Sequence, residues 1–215
     1  MKPLVVLRPE PGASATASRA RKLGLDARTM SLFEVVPLSW TAPDPTDFDA
    51  LVITSTNAVR HGGAALKRLM SLPVYAVGEA TAAAARAAGF VVATTGEGGV
   101  RDMALPSDQK LLHLSGRDHL PIDAATTIAV YEARPIQQPE GLDALDGCVA
   151  VVHSPRAGRR LGELVSERSG IAIAAISPAA AEACGDGWTS VDAAAEPTDS
   201  ALLALAARLC DSLVR

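Results

Sequence analysis

The sequence predicts an α/β protein of two similar lobes, each a parallel sheet covered by helices. Short apolar runs alternate with Ala-rich stretches along nearly the whole chain, one stretch repeats halfway along, and two Pro-rich segments interrupt the pattern. Strands buried on both faces by helices read as unbroken apolar runs, whereas half-exposed strands alternate. The runs here are unbroken.

Strands are predicted at residues 4–7, 27–30, 50–54, 74–77, 91–94, 111–115, 127–131, 149–153, 171–176 and 189–192. Helices fill most of the gaps, at 14–23 (stopped by Gly24), 57–70, 79–88, 155–166, 178–184 and 200–213. Aromatic residues are only 3% of the chain, so Ala, Val, Leu and Ile must fill the core. Small side chains of this kind suit helices packed closely on sheets.

The repeat fixes the number of lobes. Segment LVITSTNAVR (51–60) resembles AVVHSPRAGR (150–159), and AVGEATAA (76–83) resembles AISPAAAE (175–182), both at an offset of 99 residues. Ser55 and Gly78 are separated by 23 positions, as are Ser154 and Ser177. The Pro-rich segments 36–45 and 134–139 each follow a stretch with strand character, 33–37 and 128–133. Two extended crossings there make the middle of the chain an insertion. The expected organisation is a lobe of 1–32 plus 142–215, an inserted lobe of 46–127, and connecting segments 33–45 and 128–141.

Composition narrows the chemistry. With 48% hydrophobic and 20% charged residues the chain is globular, and a net charge of −4 gives no field for nucleic acid. An anionic ligand would need local arginines and backbone amides. Cys148, Cys184 and Cys210 are odd in number and widely spaced, so they read as buried free thiols of a reducing compartment. No apolar run is long enough for a membrane span, and a cytoplasmic protein is expected.

Each repeat places small polar residues where a strand ends and a helix begins: Thr54, Ser55, Thr56 and Asn57 in one, His153, Ser154 and Arg156 in the other. Gly78, Thr81 and Ser177 occupy the next turns, and Arg8 follows the first strand. Ligands of open α/β sheets bind outside the strand C-termini, where helix N-termini offer free N–H groups. Taken singly, these hydroxyls are ordinary helix caps. Their recurrence in both halves makes them candidates for binding carboxylates.

Other chemistries find little support. The chain has no GxSxG, HExxH or Walker A motif, and the glycine-rich stretch 96–99 reads as a loop. His113, Asp118 and His119 lack metal-ligand rhythm. His153 and Ser154 are neighbours on a strand, so their side chains face opposite ways. By spacing alone Tyr131 is a packing residue; facing a cleft it could serve as a weak general acid.

Taken in order, the segments LVVLRP (4–9), LVITSTNAV (51–59), AVGEATA (76–82), LLHLSGR (111–117), VYEAR (130–134) and the turn at Ser154 resemble uroporphyrinogen-III synthases. The resemblance implies an inserted two-lobe fold joined by a two-stranded β ladder, with a cleft between the lobes. It implies no metal or organic cofactor, a monomer, and hydroxymethylbilane as substrate, received in transient contact with the preceding enzyme of the pathway. Tyr131 would be the acid that assists hydroxyl loss. Arg8, Ser55, Thr56, Asn57, Gly78, Thr81, Ser115, Arg117, Ser154, Arg156 and Ser177 would bind substrate. The Ser177 turn lacks the family's threonines and would bind through backbone N–H groups. The short stretch 117–127 would trim one face of the inserted lobe.

Two other readings compete. A non-enzymatic two-lobed module for a small anionic ligand would bind the bilane without turnover. A two-lobed glycosyltransferase would need a nucleotide diphosphate site and a carboxylate or histidine in the cleft, and neither stands out.

Overall fold

A computed structural model describes residues 1–96, 103–123 and 125–212. Most of the glycine-rich stretch expected to be a loop, residues 97–99, lies outside the described residues.

The chain begins with β1 (Leu4–Val6), α1 (Gly12–Lys22), β2 (Ala27–Thr29) and β3 (Phe33–Pro37). There follow β4 (Ala50–Ile53), α2 (Thr56–His61), β5 (Val74–Val77), α3 (Glu79–Ala87) and β6 (Val92–Gly96). Next come β7 (Leu111–Gly116), β8 (Ala125–Pro135), β9 (Val149–Val152) and α4 (Pro155–Leu164). The chain ends with β10 (Ala172–Ala175), α5 (Pro178–Glu182), β11 (Ser190–Ala193) and α6 (Asp199–Ser212).

These elements form two compact units, Met1–Glu34 with Pro135–Arg215, and Val35–Arg134. Both breaks fall within strands, β3 and β8, which are neighbours in one sheet. Leu38 N–H donates to Val130 O along that pairing, and Ile136 N–H to Leu32 O.

The first unit holds a five-stranded sheet in the order β11-β10-β9-β1-β2, parallel throughout. The second holds a six-stranded sheet in the order β3-β8-β7-β4-β5-β6, in which β4 to β8 are parallel. Setting β4, β5 and β6 against β9, β10 and β11 also aligns β7 with β1 and β8 with β2. The two sheets therefore share one strand order, with β3 added at one edge. The sequence repeat covers only half of this symmetry, because the other half is permuted along the chain.

The central strands β4, β9 and β10 are buried at every residue, which is why their sequences are apolar without alternation. In the first unit Leu4, Val6, Val149 and Val151 pack against alanines of α1 and leucines of α6. In the second, Leu51, Ile53, Leu112 and Leu114 face α2 and α3, and Ala50, Val52 and Leu111 face the other way. Cys148, Cys184 and Cys210 are buried free thiols, as their spacing predicts.

One predicted helix is interrupted. The stretch 57–70 is not continuous: α2 ends at His61 and a 3₁₀ turn, Ala64–Leu69, follows. Gly63 between them has φ +64°, a conformation that leaves the right-handed helix and that glycine adopts without steric penalty. β8 is longer than the strand predicted at 127–131, because it continues through the segment beside β3. Other ends shift by a few residues.

Candidate active site

In each sheet the chain leaves two adjacent central strands in opposite directions. These switch points lie between β4 and β7 in one unit and between β1 and β9 in the other. Loops diverge there and open a crevice at the strand C-termini.

At the β4/β7 switch point lies a cavity of about 290 Å³. Among the described residues it is lined by Thr54 and Ser55 after β4, Val77 of β5, Ser115 of β7, Tyr131 of β8, and Asp118, His119 and Leu120 of the loop after β7. Ser55 caps α2, its Oγ accepting from Asn57 N–H at 3.2 Å. Thr54 Oγ1 lies 3.2 Å from Nε2 of His113, whose Nδ1 lies 3.3 Å from Thr127 Oγ1. His113 is 1% exposed, and burial, helped by the neighbouring His119, pushes its pKa down to about 4. It is a neutral ring joining two threonine hydroxyls. Tyr131 has His61 on one side, at 6.2 Å between ring centroids, and the bare Cα of Gly116 beside its ring.

Of the residues singled out in this unit, Thr54, Ser55, Ser115 and Tyr131 converge on the cavity. Thr56 and Asn57 open α2 but are not among the lining residues; Asn57 Oδ1 is buried with no hydrogen-bond partner among the described residues. Gly78 precedes α3 at φ +80° and donates its N–H to Gly96 O. Thr81 is buried in the first turn of α3. Arg117 pairs with Glu132 at 2.8 Å, and Glu132 also accepts from Arg134.

At the β1/β9 switch point the centre is a residue that the sequence does not single out. Asp199, first in α6, accepts at Oδ1 from Thr16 Oγ1 (2.8 Å) and His153 Nε2 (3.1 Å), and at Oδ2 from Arg19 Nε (2.7 Å). Arg8 Nη1 stands 3.9 Å away. Burial alone would raise the Asp199 pKa, but the hydrogen bonds from His153, Arg19 and Thr16 outweigh it and hold the carboxyl well below its usual range. Arg8 passes over Gly12, where any side chain would collide with its guanidinium.

Ser154 and Ser177 are helix caps in this unit, accepting from Ala157 N–H at 3.1 Å and Ala180 N–H at 3.3 Å. Arg156 lies over the Phe33 ring at 4.5 Å. Asp199 is hidden in the sequence because Thr16 and Arg19 stand 183 and 180 residues away from it. His113 and His119 meet edge to face, with ring centroids 5.8 Å apart. Among the described residues no group of three or more His, Cys, Asp or Glu side chains could hold a metal.

A sequence model of the uroporphyrinogen-III synthase family (HemD) matches residues 14–204. The chain belongs to that family. A uroporphyrinogen-III synthase structure from Helicobacter pylori superposes with a TM-score of 0.66 at 19% identity, over 97% of this chain and 100% of that one. A mutant uroporphyrinogen III synthase from Thermus thermophilus superposes with a TM-score of 0.51, also at 19% identity, over 96% of this chain and 98% of that one. At such identity these likenesses speak for the fold. No curated protein sequence matches the chain significantly. Membership of the uroporphyrinogen-III synthase family makes the chain an enzyme of porphyrin synthesis acting on a small-molecule substrate. Among the described residues no helix is long and apolar enough to cross a membrane.

Proposed function

We propose that the chain is a cytoplasmic cyclising hydro-lyase that converts hydroxymethylbilane into uroporphyrinogen III, with Tyr131 as the general acid. The observation that carries this reading is the β4/β7 cavity, where the Tyr131 phenol shares a wall with the Ser55 and Ser115 hydroxyls.

The terminal hydroxyl of the bilane leaves as water when a positioned acid supplies a proton, and a cationic azafulvene remains. The terminal pyrrole attacks that carbon through its already substituted α-position and forms a spiro intermediate. Fragmentation and recombination turn this ring over before the macrocycle closes. The substrate also closes unaided to the type I isomer, so the protein's main task is to hold its ends such that the spiro route wins. Ser55, Thr56, Asn57, Gly78, Thr81, Ser115 and Arg117 of one unit, and Arg8, Ser154, Arg156 and Ser177 of the other, are the groups we assign to the substrate. The caps among them bind through backbone N–H groups at helix ends, and the arginines through charge-assisted hydrogen bonds.

The test generates hydroxymethylbilane in place, adds the protein, oxidises, and separates the porphyrin isomers. Predominantly type III product is expected. Type I product alone, at the rate without protein, would overturn the reading.

A further inference from the structure

We infer that His119 is the base that removes the last proton of the ring closure, an inference that rests on the synthase reading above. The loop after β7 brings this residue into the wall of the cavity that holds Tyr131. Its Nδ1 lies 3.0 Å from Gly116 O and 3.2 Å from Arg117 O. Carbonyl oxygens only accept, so Nδ1 carries the hydrogen. In the neutral ring this hydrogen placement leaves the lone pair on Nε2.

Several of the other lining side chains are already engaged. Ser55 Oγ is engaged by the start of α2, and Thr54 Oγ1 by His113. His113 lies beneath the wall, 1% exposed, with both nitrogens at threonine hydroxyls. Tyr131 is the proposed acid and begins the cycle protonated. Among the described lining residues His119 is the one with a nitrogen lone pair to offer.

The reaction requires such a group. One proton goes to the departing hydroxyl, which leaves as water. In the closing step the free α-carbon of the terminal pyrrole bonds to the remaining azafulvene carbon. The C–H bond at that α-carbon then breaks, and its electron pair restores the aromatic ring. His119 Nε2 takes the released proton and returns it to the Tyr131 phenolate, so water is the only by-product and the protein ends as it began.

The experiment compares bilane carrying hydrogen with bilane carrying deuterium at that α-carbon, for the unaltered protein and His119→Gln. We expect turnover to fall by about 10²-fold, the low end of what a positioned base contributes. We also expect a primary isotope effect larger than that of the unaltered protein, with the type III isomer still predominant because inversion precedes the proton loss. Unchanged turnover, or slower turnover with no rise in the isotope effect, would overturn the assignment. His119→Asn, whose amide reaches toward the same carbonyls, replaces the Gln variant if that one does not fold. An unaltered protein that gives no type III product sinks the synthase reading itself, an outcome distinct from failure of the His119 assignment.

Discussion

The Nε2 of His153 donates to Oδ1 of Asp199 across 3.1 Å, tying the end of β9 to the first residue of α6. Thr16 and Arg19 of α1 meet the same carboxylate, so three elements distant in sequence share one anion. Replacing Asp199 by Asn removes the charge that these donors face. About 2 kcal/mol of stability should be lost, the range for hydrogen bonds to a charged group, as read by urea unfolding at pH 7.

Acid should destabilise the protein in two separable windows. His113 is depressed from 6.5 to about 4, so between those values the unfolded chain binds a proton that the folded one refuses. Its contribution is complete above pH 6.5 and drains away as the pH falls toward 4. Asp199 is depressed from 3.8, so its contribution is present above that value and is lost as the pH falls below it. Unfolding free energy measured against pH should flatten in the upper window for His113→Gln and in the lower one for Asp199→Asn. An unchanged slope in either variant refutes the corresponding assignment.

Tyr131→Phe keeps the ring that packs beside His61 and Gly116 and deletes only the hydroxyl. Type III formation should slow by about 10²-fold while the melting temperature holds. Full activity in this variant would remove Tyr131 from the chemistry.

Gly116→Ala tests the position of the same ring from the other side. A Cβ there would stand 2.7 Å from Tyr131 Cε2, 2.8 Å from Cζ and 3.0 Å from the hydroxyl oxygen, closer than non-bonded atoms tolerate. The ring must move, so activity should fall toward that of Tyr131→Phe. A variant as active as the unaltered protein would show that the site tolerates a displaced phenol.

Ser154→Ala leaves the Ala157 N–H without its cap and should cost about 1 kcal/mol in stability. If the serine only caps, turnover at saturating substrate will be unchanged. A rise in KM beyond the stability loss would support its assignment to substrate binding.

Much of the architecture is legible in the sequence because its cause is local. The unbroken apolar runs of β4, β9 and β10 follow from burial on both faces, and that burial is what parallel sheets impose. The caps at Ser55, Ser154 and Ser177 are visible as small polar residues closing an apolar run. The break at Gly63 is not, because the apolar period continues across it while only the backbone angle departs from a helix.

The site is legible in part. The hydroxyls and Tyr131 stand in segments that carry the family resemblance, and Ser55, Ser115 and Tyr131 line one cavity. Gly116, His119 and Asp199 carry no signal of their own. Gly116 matters through the ring beside it, His119 through two carbonyls of its own loop, and Asp199 through donors on other elements.

The sequence by itself determined the fold class, the two-fold repetition and the family, because hydrophobic period, repeated spacing and ordered motifs are properties of the linear chain. Only the tertiary structure decided which polar residues meet. Strand order placed β7 beside β4 and β1 beside β9, joining loops whose residues have no fixed separation in sequence. Tautomers, ion pairs and pKa displacements depend on distances of a few ångströms, and those distances exist only once the sheets are assembled.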